Sequence, residues 1–156
     1  MRANAYLDGD TALATIYAAA ARLGLPLIVH TGTSVFPGAR NRFADPMPMD
    51  DVALDFPDLH IVLAHGGRPL YTETCFFLAR RHANVWIDVS GIPPTSLLRS
   101  FPKLESITPK VLWGTDWPAP GVPSAKRNVE QFWSLPLSEA SKRAILWDNA
   151  RHVFGS

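Results

Sequence analysis

The chain has 156 residues, 47% of them hydrophobic, and its 15 basic and 14 acidic residues leave a formal charge of +1. That length supports one domain, 1–156, with a real core, and is too short for two of ordinary size. Charges are scattered without blocks, so neither nucleic acid nor a membrane surface is an expected partner. No apolar run approaches the ~20 residues of a membrane span, and the amino terminus lacks a basic region ahead of an apolar core. The expectation is a cytoplasmic protein acting on a small-molecule substrate.

In chain order, Asp10 is placed to cap a helix running to Leu23, with an alanine-rich body and Gly24 to end it. A strand over Pro26 to His30 follows, then a long loop from Gly32 to Pro48 and a short helix from Met49 to Phe56. The second unit has a strand from His60 to Ala64, the turn HGGRP and a helix from Leu70 to Arg81. The single Cys75 lies in that helix; one cysteine excludes an intramolecular disulfide, and its apolar setting reads as a buried, inert thiol.

The third unit has a strand from Asn84 to Val89, a Ser-Gly-Ile-Pro-Pro turn and a helix from Thr95 to Leu104. The fourth has a strand from Lys110 to Gly114, a loop rich in Trp, Pro and Gly, and helices over Ser124 to Trp133 and Ser138 to Trp147. The terminal DNARHVFG is expected to dock on the body. Continuous apolar strands alternating with helices predict βαβ units and a parallel sheet covered on both faces.

Apolar runs end three times in residues with metal-ligand chemistry: LPLIVHTGT at His30, IVLAHGG at His65 and VLWGTDWP at Asp116. Parallel α/β sheets build their sites at such strand ends. Because side chains alternate along a strand, inward-facing His30, His65 and Asp116 would take Ile28, Leu63 and Gly114 inward with them. Asp88 shares a face with Trp86 and Ser90 on the third strand. Each residue alone has a plainer reading: a satisfied structural histidine for His30 or His65, a helix cap for Asp116. Arg68 suits a substrate carboxylate, though its plainer reading is an exposed loop arginine. Trp117 suits a pocket wall, or with Trp113 and Trp147 the core.

Together, VHTG (Val29 to Gly32), AHGG (Ala64 to Gly67), NVWIDVSG (Asn84 to Gly91), GTDWP (Gly114 to Pro118) and DNARHVFG (Asp148 to Gly155) resemble the amidohydrolase-related family of metal-dependent hydrolases and decarboxylases. The resemblance implies an α/β fold, the second half of a TIM-type (β/α)8 barrel built from four parallel βα units. It implies a divalent metal, zinc in the first instance, with His30 and Asp116 as ligands. His65 and Asp116 would be catalytic, and Arg68, Asp88 and Trp117 would meet the substrate. The activity implied is hydrolysis of a small carboxylate, ester or lactone by a metal-activated water, or non-oxidative decarboxylation.

One family feature has no counterpart. The His-x-His pair of the family's first strand is missing, since the remaining histidines are His60, His82 and His152. Two or three ligands hold an ion poorly, so metal binding is expected to be weak or absent, and a truncated domain without efficient catalysis is the alternative to an enzyme. A half-barrel also leaves strand edges exposed, which predicts a homodimer or pairing with a missing amino-terminal half.

Overall fold

The computed structural model describes residues 11–119 and 122–155. Helix α1 (Thr11–Leu23) precedes a sheet of four parallel strands in the order β1 (Leu27–His30), β2 (Ile61–Ala64), β3 (Val85–Asp88) and β4 (Val111–Leu112). Helices α2 (Met49–Asp55), α3 (Thr72–Arg81) and α4 (Pro94–Ser100) connect the strands. Then α5 (Ala125–Trp133), α6 (Glu139–Arg143), a π-helical turn and α7 (Asn149–Phe154) complete the chain. The expected Asp10 cap lies outside the described residues. Gly24, at φ 63, ends α1 with paired bonds from its own N–H to Ala21 O and from Leu25 N–H to Ala20 O.

Register divides the sheet into two unequal faces. Val29, Ile61, Leu63, Val85, Ile87 and Val111 point into the main core, which also takes Leu78, Leu97, Phe132 and Ile145 from the helices. The opposite face carries Ile28, His30, Val62, Ala64, Trp86, Asp88 and Leu112. Of these, Val62, Trp86 and Leu112 are buried beneath Val153 of α7, whereas Ile28 remains 60% exposed. This second face corresponds to a barrel interior, capped at the amino-terminal strand ends and open along β1. His60, Trp86 and His152 stack there, with the Lys110 ammonium 4.1 Å from the Trp86 ring centre.

Several sequence expectations need correction. Leu63 lies on the helix-covered face, and Val62 and Ala64 are the face-mates of His30. Alternation fails because His65 leaves extended geometry at φ 67. The fourth strand is two residues long. The third unit's helix stops at Ser100 before Pro102, and a 3-10 segment (Leu104–Lys110) replaces its expected end. DNARHVFG is helical, and the Asn149 amide pins it by donating to Thr108 O and Val111 O at 2.7 Å. Trp113 packs on Phe132, whereas Trp117 and Trp147 are exposed.

Two polar groups tie the connecting segments together. The Asn84 amide lies within bonding distance of the carbonyls of Ala53, Phe56 and Leu59, at 3.2, 3.0 and 3.1 Å, tying the α2–β2 connection to the start of β3. Asp50 of α2 accepts from His82 Nε2 at 2.6 Å and Arg81 Nε at 2.8 Å at the end of α3. The His82 hydrogen bond, with smaller help from Arg81, holds the Asp50 carboxyl below its ordinary pKa. The resulting stabilisation is full above the unfolded Asp pKa of ~3.9 and is lost as pH falls through the lower folded value. Asp50→Asn is expected to cost about 1–2 kcal/mol in urea unfolding at neutral pH, a difference that closes below about pH 4.

Candidate active site

The site grows from the carboxyl ends of the strands. At the end of β1, buried Thr31 donates its hydroxyl to Ala64 O at 2.7 Å and accepts from Gly67 N–H at 3.0 Å. This one side chain therefore locks the His65-Gly66-Gly67 turn to the neighbouring strand. All three turn residues have positive φ, at 67, 54 and 71. A left-handed histidine costs of order 1–3 kcal/mol and persists only where its surroundings impose it. Asp116 is also left-handed, at φ 61.

His65 is oriented through β3. Its Nδ1 lies 2.9 Å from Ser90 Oγ and 3.3 Å from Ser90 O. The Ser90 hydroxyl proton is given to Asp88 Oδ2, and the Ser90 carbonyl can only accept. Both contacts therefore require His65 Nδ1 to carry the proton, which leaves the lone pair on Nε2. Asp88 further accepts from Ser90 N–H at 3.1 Å and from His65 N–H at 3.5 Å. Burial nevertheless raises its pKa above the ordinary carboxylate value, against the opposing pull of those bonds. Gly114 makes room for the arrangement, since a Cβ there would stand 2.6 Å from Asp88 Oδ1.

The His30 ring meets that of His65 edge-on at 4.8 Å between centres. Partial burial, then the electrostatic influence of the His65 ring and Arg68, pushes the His30 pKa below its usual value, with Asp116 pulling the other way. His30 is thus a neutral imidazole at neutral pH. Arg68 Nη2 lies 3.6 Å from Asp116 Oδ2, and Arg68 Nε is buried without a partner. The guanidinium packs on Gly91, where a Cβ would stand 2.5 Å from Nη2. It is therefore a held group with a donor to spare, and the exposed-loop reading of Arg68 is corrected.

The structure brings His30, His65, Arg68 and Asp116 into mutual electrostatic reach. Trp117 stands beside them, 58% exposed. Asp88 has both carboxylate oxygens committed to Ser90 and His65. Asp116 caps no helix, because α5 begins at Ala125 and Ser124 is its cap. Sequence reasoning missed the holding roles of Thr31 and Ser90, although Thr31 sits within VHTG. Cys75 is buried with its thiol pushed up to about 12 by desolvation, which suits an inert packing role.

The residues present fit a catalytic divalent ion only in part. Such ions ordinarily take three or more protein ligands, and among the described residues no three His, Cys, Asp or Glu side chains are grouped to hold one. Asp116 faces Arg68, and His30 and Asp116 do not form a cage by themselves.

Comparison with known proteins places this geometry. Among solved structures, an uncharacterised TIM-barrel protein of Bordetella bronchiseptica superposes with a TM-score of 0.74 at 27% identity, covering 92% of this chain and 50% of its own. A dihydroxybenzoic acid decarboxylase of a Polaromonas species, with bound manganese and the inhibitor 2-nitroresorcinol, gives 0.62 at 19% identity over 90% and 52%. A zinc-bound amidohydrolase of Burkholderia multivorans gives 0.59 at 17% identity over 96% and 59%. The chain thus spans about half the length of the first of these, and its fold is half of a TIM-type barrel. Among curated proteins none matches. The amidohydrolase family model matches residues 2–156, and with four parallel βα units ending in these motifs the chain belongs to the amidohydrolase family.

Proposed function

We propose that this chain supplies the later half of a catalytic centre that hydrolyses the ester or lactone bond of a small carboxylate-bearing substrate. The observation carrying this reading is the fixed His65 imidazole, proton on Nδ1 toward Ser90 and a free Nε2 lone pair, beside His30 at 4.8 Å. Nε2 is the group that accepts a proton from the attacking water and later returns it to the leaving oxygen. Arg68, through the Nη end it presents beside Asp116, binds the substrate carboxylate, and Asp116 orients the water. The Arg68–Asp116 pair is partly exposed and worth at most about 1 kcal/mol, so a substrate carboxylate can displace it. Asp88 and Ser90 are positioning residues, and Trp117 forms a wall.

A divalent ion belongs to this reading because relatives hold manganese or zinc. His30 and Asp116 are the residues of this chain that would contribute to it. Elemental analysis of the dialysed protein is expected to find far less than one ion per chain; a stoichiometric, tightly held ion would show that ligands outside this set exist.

Non-oxidative decarboxylation is the second reading, favoured by the decarboxylase among the structural neighbours. There the bond to the carboxylate carbon breaks, carbon dioxide leaves, and His65, after taking a proton from solvent on Nε2, gives it to the carbanion left behind. Assays with zinc or manganese supplied separate the two by product. In either case His65→Ala is expected to lower kcat roughly 10²-fold or more, and Arg68→Ala to raise KM more than it lowers kcat. Activity that survives His65→Ala, or no turnover in any substrate class with the ion present, overturns the assignment.

A further inference from the structure

The long segment between β1 and α2 borders the site, and the proposed chemistry leaves it unused. It departs from β1 directly against Arg68: Thr33 N–H donates to Arg68 O at 2.8 Å, and a Cβ on Gly32 would stand 2.4 Å from that same oxygen. Beyond this root the loop is closed on itself. Asn41 donates from Nδ2 to Ser34 O at 3.1 Å and accepts from Ser34 N–H at 2.8 Å, while Ser34 Oγ accepts from Phe36 N–H at 3.1 Å. Pro37 and Gly38, the latter at φ 85, form the centre of a turn that Ala39 N–H closes on Phe36 O at 3.1 Å. Local hydrogen bonds and turn chemistry thus shape the loop without a ligand.

What this framework presents is apolar. Val35 is 96% exposed and Phe36 64%. Both lie within three residues of Thr33, hence within about 11 Å of the contact with Arg68. Trp117, also exposed, directly follows Asp116, the ion-pair partner of Arg68. From Gly32 to Ala44 the loop has two arginines, Arg40 and Arg42, and no acidic residue. A preformed loop that sets apolar side chains in water beside a guanidinium, and carries only positive charge, complements a molecule that is both anionic and apolar. We infer that the substrate of this site bears an apolar arm, aryl or branched alkyl, beyond its carboxylate, and that Val35 and Phe36 receive that arm. The inference rests on the reading of Arg68 as the group that holds the carboxylate. Contact with the arm removes Phe36 surface from water, and a loop already closed by its own hydrogen bonds loses little freedom in making it. Val35 and Phe36 are therefore specificity-determining residues with no part in proton transfer.

Binding can be read without turnover or metal, by titrating the ¹⁵N-labelled full chain with acetate, phenylacetate and 4-phenylbutanoate at constant pH and ionic strength. Saturable amide shifts are expected over Thr33 to Phe36 and at Arg68, with the better phenyl acid bound roughly tenfold tighter than acetate. Phe36→Ser, at an exposed position, is expected to remove most of that preference and leave acetate unchanged; Val35→Ser removes a smaller part. Arg68→Ala is expected to weaken all three acids. Equal affinity for the three, no saturable shift with any, or a phenyl preference that survives Phe36→Ser overturns the inference. Light scattering that shows Phe36→Ser altering self-association, with the acid titrations unchanged, also overturns it and makes the loop tip a contact between chains. If Phe36→Ser abolishes the preference while Arg68→Ala binds all three acids as the wild type does, the apolar seat stands and the assignment of Arg68 as carboxylate holder fails.

Discussion

A carboxylate held inside the sheet's second face organises this molecule's chemistry. Asp88 loses water, and its pKa rises for that reason; it persists because Ser90 supplies both a hydroxyl and an N–H, and the His65 backbone adds a further donor. The same Ser90 oxygen fixes which nitrogen of His65 is protonated. One buried acid therefore sets the orientation of a histidine on the neighbouring strand. Without it, only the Ser90 carbonyl at 3.3 Å would favour that tautomer.

Close backbone approach is the complementary constraint. Gly114 leaves space for Asp88, and Gly91 for the Arg68 guanidinium. Gly32 lets β1 reach the turn, since a Cβ there would stand 2.4 Å from Arg68 O. Thr31 then joins the end of β1 to that turn with two hydrogen bonds. The left-handed His65 is imposed by this framework rather than by its own preference. The Arg68–Asp116 pair remains partly exposed within this framework.

Much of the architecture was legible in the sequence because parallel strands are short apolar runs and the helices between them carry their own stops, Gly24 among them. The motif ends were legible for a similar reason: His30, His65 and Asp116 follow those runs directly. Alternation misled at Leu63 because it holds only while the backbone stays extended, and the chain turns left-handed at His65. The second-face cluster of His60, Trp86, Lys110 and His152 was hidden because its members come from separate segments with no local pattern. Ser90 and Thr31 are ordinary residues whose importance comes from partners 25 and 33 positions away. The absence of a His-x-His pair is a property of the sequence itself.

The account rests on an oriented His65, and its tautomer is directly observable by long-range ¹H–¹⁵N correlation of the ¹⁵N-labelled protein at a pH where the ring is neutral. The wild type is predicted to carry the proton on Nδ1, and Ser90→Ala to weaken that preference, the residue's main-chain carbonyl alone then favouring it. A wild-type His65 protonated on Nε2 would contradict the hydrogen-bond logic and remove the base on which the proposed chemistry depends.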